Sequence, residues 1–133
     1  MEQAPIELLP MPAGVSQAQP FLADDARADA LKHIVEAAVS VVFSIEMIRL
    51  QSGSRGRAQV AQARQVAMYL VHCAFSLSHT EVGRIFKRDR TTVAYACHIV
   101  EDRRDDAAFD RTLANLEEIV QHMAIISGIQ KGR

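Results

Sequence analysis

The stretch S-H-T-E-V-G-R-I-F-K-R-D-R-T-T-V-A-Y-A-C-H-I-V, from Ser78 to Val100, decides the fold. Ser78-His79-Thr80-Glu81 places a hydroxyl residue three positions before a carboxylate, the capping-box pattern that opens a helix. Val82, Ile85 and Phe86 give that helix its apolar side, and the pattern predicts a short helix through Phe86. Gly83 inside it is unusual, because Gly costs about 1 kcal/mol against Ala in a helix. A close helix–helix crossing is expected to account for it. Lys87-Arg88 form a tight turn, and Asp89 is a suitable N-cap for a second helix from about Arg90 to Arg104. Its inner stripe is Val93, Ala96, Cys97 and Val100, with Thr91, Tyr95 and His98 on the opposite face. A short helix, a tight turn and a second helix make a helix-turn-helix. In that motif the second helix lies in the DNA major groove, with its first residues at the base edges. Arg90, Thr91 and Thr92 carry side chains able to bond bases or phosphates.

The neighbouring sequence is helical in both directions. A helix from about Ala58 to Ala74 has Val60, Ala63, Ala67, Leu70, Val71 and Ala74 on its buried face. Before it, Ser52-Gly53-Ser54-Arg55-Gly56-Arg57 breaks the pattern as a basic, flexible loop. Further back, Leu31, Ile34, Val35, Ala38, Val42 and Ile45 fall on one stripe, with Asp25 or Asp29 as the expected cap and Ser44 opening a short helix through Leu50. A last helix is expected from near Asp106 to about Ser127, on the stripe Phe109, Leu113, Leu116, Val120 and Met123. Gly128, Lys131 and Arg133 suit a helix C-terminus. The fold class is all-α: a compact helical domain of five to six helices containing a helix-turn-helix. All four prolines fall in residues 1 to 23, so a flexible arm precedes it. The expected division is an arm over 1–24, a DNA-binding domain over 25–128 and a tail over 129–133.

Several function classes are excluded by pattern. The 133 residues amount to about one domain. The longest uncharged apolar run lies between Glu36 and Glu46, far short of the ~20 residues a membrane helix needs. No basic-then-apolar leader is present, so a cytoplasmic, nucleoid-associated protein is expected. There is no phosphate-cradling G-x-x-x-x-G-K-[ST] loop and no G-x-G-x-x-G fingerprint. No catalytic constellation stands out, so no enzyme activity and no cofactor are expected. The five histidines are scattered, without metal-site spacing, and no metal site is expected. Cys73 and Cys97 both sit in apolar helical patterns and are expected to be buried thiols.

Taken alone, a net charge of −1 argues against a nucleic-acid partner. The distribution reverses that reading. Residues 49 to 104 hold ten Lys/Arg against four Asp/Glu, a segment charge of +6. The remainder holds five against twelve, or −7. A basic segment centred on a helix-turn-helix is the electrostatic footprint of a DNA binder.

Three motifs make the reading specific. Ala63-Arg64-Gln65-Val66-Ala67-Met68-Tyr69-Leu70, Glu81-Val82-Gly83-Arg84-Ile85-Phe86 and Arg88-Asp89-Arg90-Thr91-Thr92-Val93-Ala94-Tyr95-Ala96-Cys97 occur in that order. Together they resemble the C-terminal DNA-binding domain of the bacterial chromosomal replication initiator, the DnaA family, over about residues 30 to 125. The resemblance implies that Arg64 enters the minor groove, while Asp89, Arg90 and Thr91 occupy the base-reading positions. It implies that Thr92 contacts phosphate, that His79 and Thr80 lie near phosphates, and that Arg55 and Arg57 belong to a basic loop. Lys87 and Arg88 complete the DNA-binding set. Two departures stand out. Phe86-Lys87-Arg88-Asp89 is one residue shorter than the family's F-G-G-R-D turn, and Arg90 replaces a His. An Arg fork pairs bidentately with guanine, so the preferred site is expected to differ from the family's usual box. The family's ATPase domain has no counterpart in the chain, which implies a stand-alone DNA-binding protein.

The resulting expectation is sequence-specific double-stranded DNA binding at initiator-box-like sites, acting in replication initiation or its control. Two alternatives stand beside it: a transcription regulator, and an adaptor docking a replication protein through the N-terminal arm, where Ile6, Leu8 and Leu9 form a small apolar cluster.

Overall fold

The computed structural model describes residues 24–45 and 58–129. The arm, the loop with Arg55 and Arg57, the short helix expected through Leu50, and Lys131 and Arg133 lie outside the described residues. Within them the chain forms five helices.

Helix α1 spans Asp24–Phe43. Asp25 and Asp29 therefore lie inside the helix rather than capping it; Asp25 in the first turn still complements the helix dipole. Leu31, Val35 and Val39 recur at four-residue spacing and are fully buried, with Ile34 and Ala38 beside them. The expected stripe continued to Val42 instead, but Val42 is 41% exposed. Four-residue spacing carries the buried line to Val39, and Val42 falls off it. The helix ends with Ser44 in the left-handed region (φ 57°) and the Ile45 amide donating to the Ser40 carbonyl at 2.9 Å. Ser44 thus closes this helix.

Helix α2, Ala58–Ala74, has the expected bounds and is the central strut. Val60, Ala63, Val66, Ala67, Met68, Tyr69, Leu70, Val71 and Ala74 are buried, which leaves little of its circumference bare. It packs against every other described helix. Cys73 is on the part left bare: it is exposed, contrary to the expected buried thiol, while Cys97 is buried.

Helix α3, His79–Phe86, opens with both halves of the capping box. The Glu81 amide donates to Ser78 Oγ at 3.1 Å, and the Ser78 amide donates to Glu81 Oε1 at 2.8 Å. Those bonds hold the Glu81 carboxyl below its ordinary range. Val82 and Gly83 are buried. A Cβ at Gly83 would lie 2.5 Å from the Arg88 carbonyl oxygen and 3.5 Å from the Arg90 amide. What crowds Gly83 is therefore the backbone of the turn, not the helix crossing expected from sequence. Lys87 takes the left-handed conformation (φ 60°, ψ 49°), and the Arg88 amide donates back to the Gly83 carbonyl at 2.9 Å.

Helix α4, Arg90–Arg103, follows with Asp89 at the N-cap. Val93, Ala96, Cys97 and Val100 are buried, as the stripe predicts. Tyr95 on the opposite face is 62% exposed. Helix α5, Ala107–Ile126, starts where Asp106 accepts from the Phe109 amide at 2.9 Å. Its buried line is Phe109, Leu113, Leu116, Val120 and Ala124, whereas Met123, expected in that line, is 37% exposed.

A polar network fixes the far end of α4. Tyr69 Oη donates to Glu101 at 2.8 Å. Arg104 Nη1 donates to Tyr69 Oη at 2.9 Å and to Glu117 at 3.1 Å, and its Nε donates to Asp110. These partners raise the Arg104 pKa against the opposing effect of burial. Burial, followed by the bond to Glu101, pushes the Tyr69 phenol up. The network joins α2, α4 and α5, so α4 is anchored at its C-terminal end, while its N-terminal residues are exposed.

Candidate nucleic-acid interface

The presented end is built by the turn. The short left-handed step at Lys87 brings Arg88, Asp89 and Arg90 into one surface groove with Thr80, Gly83, Arg84 and Lys87. Lys87, Arg88, Asp89, Arg90, Thr91 and Thr92 are all exposed. Asp89 occupies the N-cap position with extended backbone, but its side chain makes no capping hydrogen bond. Its carboxylate is left uncommitted to the helix it begins. Arg90, the first residue of α4, lines that groove, and helix N-termini favour anions.

Arg64 approaches from α2. It lines a cleft with Lys32, Glu36, Ala67, Met68, Phe86 and Arg88. Partial burial, then the nearby Arg88 charge, lowers its pKa. Arg64 and Arg88 thus bring two guanidinium groups to one cleft. Glu36, buried in the same cleft, pairs with Lys32 at 3.3 Å.

Thr80 is exposed at the rim of the groove, while His79 turns inward. Its ring lies 4.4 Å from that of His72, centroid to centroid. Burial, His72 and Arg90 all lower its pKa, so it is neutral at physiological pH. Arg55 and Arg57 lie outside the described residues. Sequence reasoning did not assign Arg84 or Lys32 to the site. Arg84 lines the groove and Lys32 the Arg64 cleft. Arg84 was visible as a charge in the basic segment, but its facing depends on how α3 sits on the turn.

The other cations of the segment are used elsewhere. Arg104 belongs to the polar network, and Arg103 sits 3.9 Å above the centre of the Phe109 ring. The described part of the basic segment thus offers Arg64, Arg84, Lys87, Arg88 and Arg90 on the turn side.

The fold and this site define a helix-turn-helix domain. Residues 32–100 match the family model described as the bacterial dnaA protein helix-turn-helix. The match covers more than half of the chain, and the chain belongs to that family. Chromosomal replication initiator protein DnaA of Bacteroides fragilis (strain YCH46) is 34% identical over 88 residues, which are 65% of this chain and 18% of that protein. The same-named protein of Gluconobacter oxydans (strain 621H) is 38% identical over 90 residues, 67% of this chain and 18% of that one. The chain thus spans about a fifth of the length of these relatives. A solved structure described as the crystal structure of a DNA replication initiation factor superposes with a TM-score of 0.63 at 32% identity, covering 73% of this chain and 30% of that chain. Among the described residues, no helix is long and apolar enough to cross a membrane.

Proposed function

We propose that this chain binds double-stranded DNA sequence-specifically, at sites related to the initiator box, and acts in replication initiation or its control. One observation carries the reading: Arg88, Asp89, Arg90, Thr91 and Thr92 stand exposed around the N-terminus of α4, with Arg64 and Arg88 lining one cleft beside them. In this proposal the first turn of α4 enters the major groove. Asp89, Arg90 and Thr91 face base edges, and Thr92, Thr80, Lys87 and Arg88 hold phosphates. Arg64 reaches the adjacent minor groove, and Arg55 and Arg57 extend the phosphate contacts. His79 contributes through its packing near the same rim. The body over 25–128 is the DNA-binding unit, with the segments over 1–24 and 129–133 as flanks. The arm is the place for a protein partner. The absence of ATP-site motifs fits a binding role without catalysis.

Selection of bound sequences from a random duplex library tests this. The wild type should yield one consensus with a guanine opposite Arg90, because the Arg fork matches guanine O6 and N7. Arg90→His should shift that position and leave the others. Arg64→Ala and Arg90→Ala should each cost about 1–3 kcal/mol on the selected site. Enrichment of no consensus, or the same consensus from wild type and Arg90→His, would refute the base-reading assignment.

A further inference from the structure

A second cluster of functional groups lies where α2, α3 and α4 meet, and it shares only His79 with the site just described. His72 on α2, His79 at the start of α3 and Cys97 on α4 each offer a ligand atom, and all three atoms lie within 4.8 Å of one another. No spacing in the sequence announces this set. The packing of three helices assembles it.

We propose that His72, His79 and Cys97 bind one zinc-class divalent ion, with a fourth position open to water. The donor set decides the class. Two imidazoles and a thiolate suit zinc, whereas magnesium and calcium require oxygen ligands. Catalytic-type zinc sites likewise use three protein ligands and an open position. With metal–nitrogen bonds of about 2.0–2.1 Å and metal–sulfur bonds of about 2.3 Å, tetrahedral ligand atoms sit roughly 3.3–3.6 Å apart. The present separations, all within 4.8 Å, are wider than that range, so binding must draw the three donor atoms together.

The surroundings fit the assignment. His72 Nδ1 lies 2.6 Å from the Leu77 carbonyl oxygen. A neutral ring in that contact donates from Nδ1 and keeps its lone pair on Nε2. Histidine ligands characteristically have such an outer partner, which fixes tautomer and ring plane. Neutral imidazole is the ligating form of both histidines. Cys97, only 7% exposed, floors the cluster. Burial pushes its thiol up to about 11, so coordination must expel the thiol proton to solvent as the metal–sulfur bond forms. The bound ion would tie α4 to both α2 and α3. The site is independent of the DNA-binding reading and stands or falls without it.

Cobalt(II) is the probe, because thiolate ligation gives it a near-ultraviolet charge-transfer band and four-coordination gives it intense visible bands. The full chain is kept reduced and titrated with cobalt(II), and then zinc(II) is added to displace the cobalt. The bands should saturate at one ion per chain and vanish on zinc addition. They should persist in Cys73→Ser, whose exposed thiol is the obvious competitor. They should be lost in Cys97→Ser, and in Cys97→Ala as the apolar variant that keeps the core dry. His72→Gln and His79→Gln should each weaken binding by more than the 10–100-fold that losing a mere outer partner costs. Absence of a charge-transfer band, a band that follows Cys73 in place of Cys97, or affinity unchanged in both histidine variants would overturn the proposal.

Discussion

Replacing Gly83 with Ala sets two effects against each other, and their sign separates two explanations of this residue. Helix propensity alone favours Ala by about 1 kcal/mol. The turn opposes it. The new methyl carbon would stand 2.5 Å from the Arg88 carbonyl oxygen, nearer than real Cβ atoms approach, and the obstacle is backbone rather than a flexible side-chain tip. That carbonyl cannot retreat alone, because the Arg88 amide is bonded back to the Gly83 carbonyl and Arg90 begins α4 two residues later. Overpacking of this kind typically costs 1–3 kcal/mol. At a rigid backbone contact the upper half of that range applies, so Gly83→Ala should lose a net amount of about 1–2 kcal/mol. For a folded body of this size that corresponds to a fall in Tm of roughly 4–15 °C. Thermal unfolding followed by circular dichroism, together with a urea titration, reads it directly. DNA affinity should fall as well, since Arg88 and Arg90 ride on the displaced turn. A variant as stable as the wild type, or more so, would refute the reasoning: Gly83 would then be an ordinary poor helix former with no close approach to protect.

Two further substitutions probe the capping and the anchoring. Ser78→Ala removes the N-cap acceptor for the Glu81 amide and should cost about 1 kcal/mol by urea denaturation. Because the Glu81 carboxyl titrates below its unfolded value, its contribution is present above the ordinary carboxylate range and is lost as pH falls through the lower folded value. The stability gap between wild type and Ser78→Ala should therefore narrow in acid, and a gap that widened there would contradict the capping box. Arg104→Met breaks the bonds to Tyr69, Asp110 and Glu117 and should cost about 2 kcal/mol, leaving partly buried partners unmatched. Below its lowered Tm the folded variant should keep wild-type DNA affinity and salt dependence, because this charge is committed internally; a loss like that of Arg90→Ala would place Arg104 at the DNA.

Where the sequence read true, local chemistry was sufficient. The capping box at Ser78, the start of α5 near Asp106 and both ends of α2 are statements about a few adjacent residues, and the fold preserves them. The inner stripe of α4 was equally legible, because one face is apolar and the other polar. The misreadings have physical causes. From Val66 to Ala74 α2 is apolar almost all round, so periodicity could not show that Cys73 is exposed. Val42 continues the four-residue step from Ala38, and Met123 is larger than its neighbour Ala124, yet packing buries Val39 and Ala124. Gly83 was recognised as anomalous, but its neighbour could be named only once the turn was traced. The helix-turn-helix site is contiguous in sequence and was readable. The cleft joining Arg64 to Lys32 and Arg88, and the cluster of His72, His79 and Cys97, are products of three-dimensional packing that no spacing encodes.

Equilibrium binding of the full chain to its selected duplex and to a base-shuffled copy, repeated across a salt series, tests the proposed DNA recognition most directly. If ~6 phosphates are neutralised, log K should fall with log[salt] at a slope of roughly −5 on the selected duplex. That duplex should be preferred over the shuffled copy by at least about 10³-fold at physiological salt. Equal affinity for the two duplexes, or binding indifferent to salt, would contradict it.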